Sequence, residues 1–237
     1  MQALIVTLIS GLSFLIGGLI IIFIKRKDHF INFCISISFG VLIILSLFEL
    51  IPEAKEKLGD NAAMLLIIFA IIGFILFKFL DYFIPHHDEG NNSSNNLIHI
   101  GIITAIALIV HNIIEGMLLY GYAMVNMRVA YIYALAASLY HLPLGANVAF
   151  LLKENRKKMW VYLFLLTITP LVGGVLIHYF NEFLTDFYLG LMLAITLGII
   201  IYIILFELLG KIKKDFNKHT ICGILLGVLL MIVGLSV

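Results

Sequence analysis

Charge is what this chain has least of: Asp, Glu, Lys and Arg make up 12% of its residues against 62% hydrophobic ones, where a soluble domain carries roughly 25% charged residues. That scarcity excludes a soluble globular protein, whose surface must be hydrated. A formal net charge of +1 leaves no general electrostatic attraction for nucleic acid. Cysteine is limited to Cys34 and Cys222, both inside apolar segments, so no disulfide framework is implied. The first apolar run has no basic segment before it and exceeds a signal-peptide core of about 7 to 15 residues, so it is read as a retained helix. Alternating short segments of the kind that build a barrel are missing too.

What is present is a succession of continuous apolar runs, at Ala3 to Ile24, Ile31 to Ile51, Ala62 to Ile84, Leu97 to Ala123, Val129 to Leu152, Met159 to Phe180, Phe187 to Leu209 and Thr220 to Val237. Each matches the roughly 20 residues that a helix needs to cross about 30 Å of hydrocarbon while satisfying its own backbone polar groups. The expectation is an all-α integral membrane protein of eight transmembrane helices, a single domain over residues 1–237 with the lipid bilayer as its surroundings.

Lys and Arg divide unevenly between the two sets of joints. One set holds Lys25, Arg26, Lys27, Lys153, Arg156, Lys157, Lys158, Lys211, Lys213, Lys214 and Lys218, while the other holds only Lys55, Lys57 and Arg128. The basic set is expected to face the cytoplasm, which puts both termini outside. The joint from Pro85 to Asn96 becomes a cytoplasmic polar loop between the third and fourth helices. It carries His86 and His87, candidates for transient capture of a soft cation.

Two spans echo one another. Ser38 to Leu50 aligns with Thr196 to Leu208, with Gly40 over Gly198, Phe48 over Phe206, Glu49 over Glu207 and Leu50 over Leu208. Five steps apart, the two helices cross in opposite directions, which makes the relation an inverted repeat. Glu49 then marks the outer mouth and Glu207 the inner one, as ligands at which a cation arrives and leaves.

Ionisable groups deep in a span are costly and face a cavity or one another. His111 and Glu115 lie four apart on one helical face with Asn112 on its flank. His111 is about 13 residues, or roughly 20 Å, from the inner end of its span, and His141 in the fifth helix has nearly the same depth. Imidazole, carboxylate and amide oxygen together suit a divalent transition metal: Zn, Fe, Ni, Cu or Mn. Pro143, behind His141, and Pro170, behind Thr169, each remove a backbone donor within a span. The paired glycines Gly17-Gly18 and Gly173-Gly174, and the Gly223 to Gly227 spacing, are read as helix-packing positions.

The run His111-Asn112-x-x-Glu115-Gly116 resembles the fourth-helix signature of the ZIP family of metal-ion transporters. Glu49-Leu50-Ile51-Pro52-Glu53-Ala54 at the end of the second span, the His-bearing third loop and the Pro-Gly motif of the fifth helix are similar to that family as well. The resemblance implies an eight-helix fold with inverted symmetry and a metal site between helices four and five. It also implies divalent metal carried toward the cytoplasm, and a homodimer. Family members have a ligand where Tyr140 stands, and Glu where Leu144 and Thr169 stand. One metal at most is therefore expected, held by His111, Asn112, Glu115 and His141, with weaker oxygen contacts from Tyr140 and Thr169.

The functional expectation is transport of a divalent metal, zinc first among them, across the plasma membrane by a multi-pass protein that is not an enzyme and has no cofactor. Metal is substrate here. An intramembrane metal-dependent hydrolase using Glu115 as base is the alternative from another class, but His-Glu-x-x-His spacing is missing. A relative that has lost transport and serves as a metal sensor or structural membrane protein is the other.

Overall fold

The structure is a computed structural model and describes residues 1–22, 28–59, 62–83, 93–180, 185–214 and 216–236. Among these lie eight helices long and apolar enough to cross a membrane: α1 (Gln2–Ile22), α2 (Asn32–Leu58), α3 (Ala62–Tyr82), α4 (Leu97–Val125), α5 (Met127–Leu151), α6 (Arg156–Phe180), α7 (Asp186–Lys214) and α8 (Lys218–Leu235). Their ends carry recognisable stop and start chemistry. Gly59 closes α2 with φ +68°, a left-handed conformation that glycine adopts without a Cβ clash. Asn126 caps α5 by accepting a hydrogen bond from the Arg128 backbone N–H at 3.0 Å, and Asn155 does the same for Lys158 ahead of α6 at 3.1 Å.

Two boundaries differ from the sequence reading. Helical backbone before α4 begins at Ser93, inside the stretch expected as loop, because a helix that leaves the hydrocarbon keeps its backbone bonds satisfied internally. At α2 the chain stays helical through Pro52 to Leu58. Proline is tolerated there because it lies in the first turn of a new α-helical stretch, Ile51–Leu58, where its missing N–H matters least.

That new stretch follows a π-helical turn at Ser46–Leu50, and α7 carries a matching π-helical turn at Ile203–Leu208. A π turn inserts an extra residue and re-aims the side chains on it. The two turns fall on the aligned repeat positions and hold Glu49 and Glu207.

Packing repeats the same symmetry. α1 lies on α5 and α6 lies on α4; α2 lies on α8 and α7 lies on α3. Exchanging α1 with α6, α2 with α7, α3 with α8 and α4 with α5 turns each pairing into the other, as an inverted repeat requires. The aligned glycines play equivalent parts: Gly40 presses on the α8 backbone at Ile224 and Val228, and Gly198 on the α3 backbone at Ala70 and Phe74. Without a hydrophobic driving force between helices in lipid, such close backbone approach is what packs them. Gly17 against Leu142, Gly173 against Ile113 and Gly227 against Ile37 make similar approaches. α4 and α7 are the most enclosed, with 67% of their apolar windows buried, whereas α3 has 17%, so α3 is peripheral and the enclosed pair frames the centre.

Candidate metal centre

Glu115 is the hub of the interior. Its Oε2 lies 3.3 Å from His111 Nε2 and 3.0 Å from His141 Nε2, and all three residues are buried to within 2% of full exclusion. His111 and Glu115 meet because they are one helical turn apart on α4. His141 reaches them from α5, which packs antiparallel to α4 at the same depth.

α1 supplies the support that the sequence reading missed. The Ser10 carbonyl oxygen lies 3.1 Å from His141 Nδ1; a carbonyl only accepts, so Nδ1 carries the proton and Nε2 is directed to the hub. The Phe14 ring stacks on the same imidazole with centroids 4.1 Å apart. Ser10 Oγ is 3.4 Å from Glu115 Oε1 and 3.3 Å from His141 Nδ1. Gly145, one turn after His141, lets α1 come this close at Phe14.

The other expected residues fall into different places. Asn112 is fully buried and neither of its amide atoms has a hydrogen-bond partner. Thr169 donates to the Leu166 carbonyl at 3.1 Å; Tyr140 donates to Glu49 Oε1 at 3.3 Å, and its ring meets the His141 imidazole edge-on with centroids 4.8 Å apart. His86 and His87 lie outside the described residues.

Glu49 stands close to the hub. It accepts from Tyr133 at 2.7 Å and lines one cleft with Glu53, His111, Glu115, Leu118 and Leu193. Beyond it, Glu53 accepts from Tyr122 at 3.0 Å and lies 3.6 Å from Lys57 Nζ. Carboxylates thus lead from the end of α2 to the hub.

At the opposite end Glu207 belongs to a second cluster. His99 Nε2 lies 3.1 Å from Asp81 Oδ1 and 4.0 Å from Glu207 Oε1, and Tyr202 donates to Asp81 Oδ2 at 2.6 Å. Asp81 ends α3, His99 begins α4 and Glu207 sits on the α7 π turn. Among the described residues this is the one group of His and carboxylate donors that lie mutually within 4.8 Å. The signal in the sequence is that Asp81 and His99, like His111, are ionisable groups inside apolar spans.

Chemically the two clusters differ. Ligands about 2.0 to 2.1 Å from a tetrahedral zinc ion stand roughly 3.3 Å apart, the spacing of each imidazole nitrogen from Glu115 Oε2. The hub's three donors nevertheless lack the mutual 4.8 Å spacing of Asp81, His99 and Glu207: the carboxylate oxygen sits between the two imidazoles. An ion bound to all three needs that carboxylate to swing aside and the imidazoles to close.

Eight apolar helices in inverted repeat, enclosing a buried imidazole and carboxylate cluster with carboxylates at each end, define a multi-pass integral membrane protein built to handle a cation. Comparison with known proteins makes the class specific. No family model matches the chain. It is 30% identical to "Zinc transporter ZupT" of Akkermansia muciniphila, across 97% of this chain and 94% of that protein, and 29% identical to "Zinc transporter ZupT" of Chlorobium luteolum, across 80% of each. It is also 40% identical to "Protein zntB" of Dictyostelium discoideum over 101 residues, 42% of this chain and 26% of that longer protein. The chain belongs to the ZIP family of transporters and is not an enzyme.

Proposed function

We propose that the protein carries a divalent metal ion, zinc first, toward the cytoplasm through the hub formed by His111, Glu115 and His141 near the bilayer midplane, with Asn112 beside it. The observation that carries this is the convergence of two imidazoles from different helices on one buried carboxylate oxygen, an expensive arrangement in lipid unless it serves a cation. Zinc rests on the names of the relatives and on the nitrogen-rich donor set, which favours a borderline-soft ion.

The path runs from Glu53 and Glu49 at the outer cleft to the hub and then to Asp81, His99 and Glu207. Tyr140 and Thr169 serve as weaker oxygen contacts. Direction follows from the basic joints, which put the Glu207 end and the His86–His87 joint at the cytoplasm and both termini outside. Residence in the plasma membrane and assembly as a homodimer complete the proposal and rest on the family resemblance.

The test is metal uptake with His111→Ala. Uptake is expected to vanish with the amount of protein in the membrane unchanged. Undiminished uptake discards the hub as the transport site. Metal flux into proteoliposomes separates transport from a sensor or structural role.

A further inference from the structure

Hydroxyls buried in these helices have an ordinary destination. Thr7, Ser36, Ser46, Thr167 and Thr196 each donate to the carbonyl three or four residues earlier, the usual way a helix absorbs such a group. Ser38 and Thr104 do not. Ser38 Oγ, Thr104 Oγ1 and both amide atoms of Asn147 have no hydrogen-bond partner, and these residues are 0%, 1% and 0% exposed. An orphaned buried polar group costs stability, so its retention calls for a partner it meets in another state.

The three groups come from three helices, each on the side turned from its helix's tightest neighbour. On α2, Gly40 and Ile37 press on α8, and Ser38, two residues from Gly40, stands about 200° round the helix from it. On α5, Gly145 presses on Phe14 of α1, and Asn147 again stands about 200° away. On α4, Ile113 and Gly116 press on α6, and Thr104, nine residues before Ile113, stands about half a turn away. Each orphan thus faces away from the tightest neighbour of its helix, and α2 and α4 both pack against α5, which carries Asn147. Thr104 is seven residues inward of His111 and Asn147 six inward of His141, about 9 to 11 Å at the helical rise. His99 of the inner cluster is twelve residues inward of His111, or about 18 Å.

We propose that Ser38, Thr104 and Asn147 form a second cation station, built of neutral oxygens only, halfway between the hub and the cluster of Asp81, His99 and Glu207. It takes a partly hydrated divalent cation. The proposal rests on the transport reading above. Amide and hydroxyl oxygens replace water molecules around the ion without adding charge, so the station holds the ion briefly and lets it go again. Passage requires binding that is weak and divided over several sites.

Isosteric apolar variants test it, in full-length protein reconstituted into liposomes with zinc as the probe. Asn147→Leu and Thr104→Val remove the oxygens and keep the volume. Both are expected to unfold at the same temperature as the wild type or higher, because an orphan is gone, and to keep the zinc-induced shift in melting temperature that reports the hub. Zinc flux is expected to fall about tenfold, and Asn147→Ser, which keeps an oxygen, to recover most of it. Wild-type flux in Asn147→Leu and Thr104→Val overturns the station, the orphans then holding water only. Should Asn147→Leu not fold, Thr104→Val alone decides. No flux in wild-type liposomes overturns the transport reading and the station with it.

Discussion

Gly145→Ala is the substitution that most sharply tests how α1 controls the hub, although Gly145 touches none of the hub's donor atoms. A Cβ at this position would lie 2.6 Å from Phe14 Cα, whereas ordinary carbon contacts are about 3.5 to 4.0 Å, so α1 and α5 must part by roughly 1 Å. The bond from His141 Nδ1 to the Ser10 carbonyl, 3.1 Å long, then stretches to about 4 Å, beyond hydrogen-bond range. Overpacking costs about 1 to 3 kcal/mol of stability. Losing the bond that orients a ligating imidazole costs about 10- to 100-fold in metal affinity. Ser10→Ala keeps the carbonyl and removes only hydroxyl contacts of 3.3 and 3.4 Å, long for a hydroxyl, so its effect on affinity should stay within about threefold. Equilibrium zinc binding and thermal unfolding of the purified protein measure both quantities. Wild-type affinity in a less stable Gly145→Ala protein, or equal damage from Ser10→Ala, refutes the reasoning.

Leu144→Glu restores the carboxylate that the family carries next to His141. Because Leu144 is 1% exposed, the metal-free variant should melt lower than wild type, an unpaired buried charge costing several kcal/mol. Its zinc-induced rise in melting temperature should be larger, and an unchanged rise would mean that this face of α5 is turned away from the ion. His99→Ala and Glu207→Gln should slow zinc flux while leaving hub affinity within about threefold; normal flux in both removes the inner cluster from the path. Acid should weaken zinc binding, since an imidazole must be unprotonated to ligate and metal binding therefore releases protons. Affinity that does not fall at all as the pH is lowered contradicts ligation by His111 and His141.

The eight spans and their helical character follow from local composition alone, because partition into lipid depends on each stretch separately and a spanning helix satisfies its own backbone. The pairing of His111 with Glu115 was equally legible, since four residues make one turn in any helix. So was the echo of Ser38–Leu50 in Thr196–Leu208, which the matched π turns and exchanged packing partners now express in three dimensions.

Which groups meet across helices is a matter of how the helices pack. That Ser10 and Phe14 hold His141, that Glu49 shares a cleft with the hub, and that Asp81 and His99 gather around Glu207 depend on the relative height and rotation of helices far apart in the chain. Those are set by backbone contacts at Gly17, Gly40, Gly145, Gly173 and Gly198. No local periodicity encodes them, because each is a fit between two surfaces rather than a property of either one.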